Sequence, residues 1–320
     1  MTVVAAARSR LSFERAEGLV LDPVSANRGT ARSALTMLGF RHLAALGSTE
    51  DAATVLQQRI IDFLLVDVTQ ETSKMCAFVR KIREGDIGRN AFLHIVLMTW
   101  KFDGGIVEQA LNCGADDLVT RPFSVDFLGA RLRAQVEARK PFVVTSDYAG
   151  PDRRKNRSQK SEIPLIEAPN LLLAKGLAQQ WTERSAKASE DEIKAANARM
   201  DAERVVRAAF QCSLLVFSLR DALVAGASLD SDFAKLETTA KELDRRARAP
   251  EVSKLVAALC EDVLGAKAGG DTAALARIGE TTSALIEKAS PGKTRDELLG
   301  NVAAAYSAMK ARGSKVQKIA

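Results

Sequence analysis

The chain has 320 residues, 47% of them hydrophobic and 27% charged, which allows two domains with separate cores and excludes an intrinsically disordered protein. Much of the net charge of +6 sits in one segment, where Arg153, Arg154, Lys155, Arg157 and Lys160 face only Asp152. Elsewhere acids and bases intermingle, so the overall charge argues little for a nucleic-acid partner.

Cys76, Cys113, Cys212 and Cys260 lie far apart with no CxxC spacing, which excludes a zinc ribbon and gives no support for a disulfide framework. His42 and His94 each adjoin an apolar run and have no metal-ligand neighbour in sequence, so both read as structural. The opening MTVVAAARSR meets Arg8 too early for a signal peptide, and no segment reaches the roughly 18 apolar residues of a membrane span. A cytoplasmic protein without membrane association is expected.

Short apolar runs alternate with amphipathic ones over the first 140 residues. Leu19–Leu21 reads as a strand ending at Asp22, and Asn27–Leu38 as a helix capped by Gly39. His42–Leu46 is a second strand and Thr49–Gln58 a second helix. Phe63–Val66 is a fully apolar strand ending at Asp67, followed by a helix over Cys76–Arg83. His94–Met98 ends at Thr99, Ile106–Asn112 is a helix capped near Gly114, Leu118-Val119 is a short strand, and Ser124 opens a last helix to Ala138. Five βα units in succession predict an α/β fold, a doubly wound five-stranded parallel sheet with helices on both faces. Ligands of such sheets bind beyond the carboxyl ends of the strands, where Asp22, Asp67 and Thr99 all fall.

From Pro141 to Pro169 the pattern gives way to Pro, Gly, Arg and Ser, the composition of a linker. Beyond it the spacing is helical. Leu229, Phe233, Leu236, Ala240 and Leu243 mark one helix, Val252, Leu255, Val256 and Leu259 another, Leu275, Ile278, Leu285 and Ile286 a third, and Leu298, Val302, Ala305 and Met309 a fourth. Val205–Val224 is the most apolar stretch and is expected at the centre of an all-α bundle. The expected domains are therefore 14–140, a linker at 141–169, and a helical output or interaction domain at 170–320.

The motifs at the strand ends carry a family resemblance. GLVLDPVSANRGTARSALTMLGF at 18–40, FLLVD ending at Asp67, VLMTW ending at Thr99-Trp100 and GADDLVTRPFS around Arg121-Pro122 recur in the order of a bacterial response-regulator receiver (CheY-like) domain. The resemblance spans about 120 residues. Lys140–Thr145 followed by Tyr148–Arg154 is similar to the extension found in one group of such receivers.

What the resemblance implies is a two-component signal transduction protein with Asp67 as phosphoacceptor and Thr99 and Arg121 as switch and phosphoryl-contacting residues. Asp22 and Asp67 would hold Mg²⁺, weakly, because Pro23 stands where the family has a second acid. A carboxylate attacks a phosphoryl group only when a cation neutralises the phosphoryl oxygens. Arg121 replaces the family's Lys, and its planar fork does not reproduce a compact ammonium. Trp100 stands where the family has a small residue and would narrow access to Asp67, and Leu118 replaces an aromatic. The loop VTQETSKM after Asp67 lacks the usual Pro and Asp-Gly.

The helical region holds no histidine, which excludes a working histidine phosphotransfer bundle, and shows no phosphate loop, paired catalytic acids or helix-turn-helix signature. The expected role is a non-enzymatic signalling adaptor acting by protein–protein contact. Its implied partners are a sensor histidine kinase or phosphotransfer protein and an output protein bound by the helices. The alternatives are a transcriptional or RNA-binding regulator and a constitutive pseudo-receiver.

Overall fold

Strands covered on both faces must be apolar throughout, and Leu64, Leu65 and Val66 are each wholly buried. The computed structural model describes residues 11–145, 147–154, 163–269 and 272–317. Within them the expected strands are β1 (Glu17–Leu21), β2 (His42–Leu46), β3 (Phe63–Asp67), β4 (His94–Thr99) and β5 (Asp117–Thr120). They pair in parallel in the order β2-β1-β3-β4-β5, the doubly wound arrangement. Leu21 stands opposite Val66 and Asp67 opposite Met98, so Asp22 and Asp67 emerge side by side at one end of the sheet.

The crossovers are α1 (Ser25–Met37), α2 (Thr49–Gln58), α3 (Thr72–Arg83), α4 (Gly104–Asn112) and α5 (Val125–Glu137). Side chains alternate across a strand, and the core divides accordingly. Leu19, Leu21, Leu64, Val66, Ile95 and Leu97 pack with residues of α2, α3 and α4. Val20, Phe63, Leu65, Val96 and Met98 face the other way, against α1 and α5.

Local chemistry fixes the helix ends. Ser124 accepts from the Phe127 N–H at 3.1 Å, as its reading as an N-cap requires. After α1, Gly39 at φ +106° donates to the Thr36 carbonyl and Phe40 to that of Leu35, the paired closure that a left-handed glycine permits. Helices α1, α3 and α4 begin two to four residues before the apolar periodicity starts, because their first turns are polar or glycine.

The segment expected as a linker is partly structured. Its β6 (Phe142–Val144) and β7 (Ala149–Pro151) form an antiparallel hairpin, and Phe142 also bridges to Ile166. Leu171 and Leu172 of α6 (Leu171–Leu177) are buried, and Leu172 joins the core beneath α1 and α5. The reason is the apolar triplet Phe142-Val143-Val144, which the surrounding Pro and Arg obscured. Lys155, Arg157 and Lys160 lie outside the described residues. Arg153 is not a solvated charge, since its guanidinium donates to the Ala115 carbonyl.

The hairpin sits on a buried ionic cluster. Arg83, wholly buried, donates from Nε to Gly114 O at 2.8 Å, from Nη1 to Ala91 O and Leu93 O at 2.6 and 2.7 Å, and from Nη2 to Asp116 at 2.7 Å. Arg139 binds the other Asp116 oxygen at 3.0 Å. Both guanidiniums lie against the Phe142 ring, at 5.1 and 5.2 Å from its centroid. Burial opposes ionisation of Asp116, but Arg139 and Arg83 outweigh it and hold the carboxyl below its ordinary range.

The chain divides into two compact units between Arg199 and Met200, inside the helix α7 (Glu183–Val224). The second unit is helical, with the later part of α7, α8 (Asp230–Arg246), α9 (Pro250–Gly269), α10 (Thr272–Ala289) and α11 (Arg295–Gln317). Its core includes Cys212, Leu219, Leu236, Leu243, Val256, Leu259, Ile278 and Val302. Arg246, almost fully buried, ties α7 to α8 through Asp201 at 2.8 Å and through Glu242.

Arg83→Met should cost about 3–5 kcal/mol in urea unfolding, because it leaves Asp116 with one of its two buried cations and takes the guanidinium donors from three interior carbonyls, whereas Arg89→Met on the surface should stay within about 1 kcal/mol. The Asp116 contribution is full above about pH 3.9 and is lost as pH falls through that value toward its lower folded pKa, so the Arg83→Met deficit should shrink in acid.

Candidate functional site

At the carboxyl end of the sheet, Asp22 follows β1 and is wholly buried, while Asp67 closes β3 with 5% exposure. Two carboxylates side by side in the interior repel, and the chain places a cation between them. The Arg121 guanidinium donates from Nη2 to Asp22 Oδ2 at 3.0 Å and from Nη1 to Asp67 Oδ2 at 3.0 Å. Nη2 also lies 2.9 Å from the Met98 sulfur, and the guanidinium carbon stands 5.7 Å from the Trp100 ring centroid. The Arg121-Pro122 peptide is cis, and the Arg121 N–H donates to the Thr99 carbonyl at 2.8 Å, which fixes the loop after β5 to the end of β4.

The remaining carboxylate oxygens also have protein donors. Asp22 Oδ1 accepts from the Val24 N–H at 2.9 Å. Asp67 Oδ1 accepts from the Thr69 N–H at 2.9 Å, and its Oδ2 from the Thr69 hydroxyl at 3.1 Å. Burial nevertheless pushes the Asp67 carboxyl above its ordinary pKa; Thr69 and Arg121 hold it down and the Asp22 charge pushes it up. A second guanidinium braces the Asp22 loop, as Arg28 Nη1 donates to the carbonyls of Asp22 and Pro23 at 2.7 and 3.2 Å. Gly47 leaves that guanidinium room, since a Cβ there would come within 2.9 Å of Arg28 Nη1.

Of the expected site residues, the fold joins Asp22, Asp67 and Arg121 by direct bonds. Thr99 is buried at the end of β4, and its hydroxyl donates to the Lys101 carbonyl at 2.9 Å and accepts from the Lys101 N–H at 3.1 Å. Trp100, expected to narrow access to Asp67, is 52% exposed and flanks Arg121. Sequence reading missed Thr69, whose hydroxyl also accepts from the Trp100 N–H at 3.1 Å and so joins the loops after β3 and β4. The available signal was its position two residues after Asp67, where a hydroxyl folds back on an Asp. Among the described residues, no group of three or more His, Cys, Asp or Glu side chains is placed to hold a metal ion.

Thr69→Val should destabilise the fold by about 1 kcal/mol and shift Trp100 emission in a Trp181→Phe background, while Thr69→Ser should preserve both.

No protein-family model matches the chain. Among curated proteins it is similar to a probable chemotaxis protein CheY of Rhizobium etli, 22% identical over 125 residues that make up 39% of this chain and 92% of that protein. It is 30% identical over 116 residues to the phosphate regulon regulator PhoB of Pseudomonas aeruginosa, covering 36% of this chain and 49% of PhoB. It is 24% identical over 140 residues to the response regulator PleD of Caulobacter vibrioides, covering 44% of this chain and 30% of PleD. The chain thus spans about half of PhoB and under a third of PleD. A response regulator from Thermotoga maritima matches 38% of the chain over 99% of its own length, with 22% identity and a TM-score of 0.34. The curated matches, with the β2-β1-β3-β4-β5 sheet and Asp67 at the end of β3, make the amino-terminal part of this chain a divergent receiver domain of the two-component response-regulator kind, continued by a helical extension.

Proposed function

We propose that this chain is a two-component signalling adaptor whose receiver acts as a constitutive docking platform, a pseudo-receiver, with output made by protein–protein contact through the helical region. The carrying observation is that every carboxylate oxygen of Asp22 and Asp67 has a donor from the protein itself. On Asp67 the Arg121 and Thr69 side chains take both acceptor positions of Oδ2 and the Thr69 N–H takes one on Oδ1, so a single lone pair, beside a fixed guanidinium, is left for a phosphoryl group and a cation together. Thr99, the hydroxyl that the resemblance assigns to a phosphoryl oxygen, is satisfied by Lys101.

The receiver fold implies Mg²⁺, and the residues present do not fit it. Mg²⁺ demands an octahedral shell of oxygens and retains several waters. This site offers two carboxylates, has Pro23 in place of a third acid, and holds a guanidinium between the pair.

The receiver's share of the work is then to present a fixed surface, and the chain signals by binding rather than by turnover. Partners of the histidine-kinase or phosphotransfer class would meet that surface, and the helices would meet a separate output protein.

The test uses Trp100 as reporter in the full chain carrying Trp181→Phe. Mg²⁺ with beryllofluoride should leave its emission unchanged, and acetyl phosphate with Mg²⁺ should leave the intact mass unchanged. A saturable response that Asp67→Asn abolishes would contradict the pseudo-receiver reading. Sequence-selective duplex DNA binding that falls steeply with salt would replace the adaptor by a transcriptional regulator.

A further inference from the structure

We infer that Arg121 is the resident cation of this site, its guanidinium standing in for the divalent metal so that the receiver is charge-compensated without one. The inference deepens the pseudo-receiver reading by naming what holds the site shut.

The geometry supplies the argument. Asp22 and Asp67 are the acids that would hold a divalent ion, and its charge would be needed in the gap between their carboxylates. That is where the guanidinium lies, 3.0 Å from each through different nitrogens. The side chain is only 6% exposed, and the Met98 sulfur and the Trp100 ring pack against it. It therefore occupies the place as an interior group rather than as a surface cation that swings in and out.

Three further features fit a site built around this cation. The missing third acid lowers the negative charge to what one guanidinium and the backbone N–H groups of Val24 and Thr69 can balance. Arg28 puts a second positive group on the Asp22 and Pro23 carbonyls, so a metal approaching that loop meets like charge. Arginine suits this place better than lysine, because its planar fork reaches each carboxylate with a separate nitrogen, whereas an ammonium must serve both from one. The substitutions at Pro23 and Arg121 are then linked: each removes the need for the other's usual partner.

The experiment is a Mn²⁺ titration of the full chain, followed by electron paramagnetic resonance of the free ion, on wild type, Asp67→Asn, Arg121→Gln and Arg121→Lys. Wild type should show no saturable site that depends on Asp67. Arg121→Gln should open one, tightening Mn²⁺ binding by about tenfold or more, because a unit charge within hydrogen-bond distance of both ligands is worth at least that at a protein's effective dielectric. Asp67→Asn added to Arg121→Gln should close it again. If Arg121→Gln does not fold in the absence of metal, Arg121→Lys is decisive, because one ammonium nitrogen gives up one of the two positions the guanidinium nitrogens fill and should admit Mn²⁺ better than wild type. Saturable, Asp67-dependent binding in wild type would overturn the inference. So would folded Arg121 variants that bind no better than wild type. Neither result bears on whether the helical region binds an output partner, so loss of the resident-cation assignment is distinguishable from loss of the adaptor reading.

Discussion

Two carboxylates driven into a protein interior side by side cannot both remain charged unless a cation joins them, and the parallel sheet leaves no freedom in the matter. Pairing of β1 with β3 sets Asp22 and Asp67 next to each other whatever else the sequence does. Receivers with an acid-rich first loop resolve this with a metal. Here Arg121 resolves it from the loop after β5, and the consequences spread outward. The Arg121 N–H ties that loop to the end of β4, Trp100 flanks the guanidinium, and Thr69 fastens the loop after β3 to both Asp67 and the Trp100 backbone. A buried ion pair of this kind adds less stability than its geometry suggests, since desolvation consumes most of the attraction. What it provides is a single arrangement of three loops.

The opposite end of the same sheet uses the same device for another purpose. Arg83 and Arg139 share Asp116 and both lie against the Phe142 ring, which anchors a hairpin that composition alone assigns to a linker. Gly114 belongs to this construction: at φ +87° it closes α4, and a Cβ there would stand 2.4 Å from the Ala149 carbonyl of β7. The receiver and its extension thus form one unit whose two ends are each organised by buried arginine.

The fold was legible because its signal is repetition. Five apolar runs ending in Asp, Thr or a turn, each followed by helical spacing, specify a parallel sheet from pattern alone, and the strands lie within a residue or two of where the pattern puts them. Asp22, Asp67 and Arg121 were legible as members of one site because strand ends converge. Their mutual bonding was not, because periodicity places a side chain on a face without saying where its nitrogens reach. Thr69 and Arg28 escaped because a hydroxyl folding back on an Asp two residues away and a guanidinium aimed at backbone carbonyls leave no mark on apolar periodicity. The hairpin escaped because three apolar residues among Pro, Arg and Gly fall below any periodic signal.

The coupling between Arg121 and Asp67 is the quantity on which this account rests. A double-mutant cycle measures it most directly: Arg121→Gln, Asp67→Asn and the pair together, in the Trp181→Phe chain, with urea unfolding followed by Trp100 emission. A coupling energy of about 1.5 kcal/mol or more, unchanged by millimolar Mg²⁺, is what a resident guanidinium predicts. Additivity within about 0.3 kcal/mol would contradict it, since the two side chains would then contribute independently.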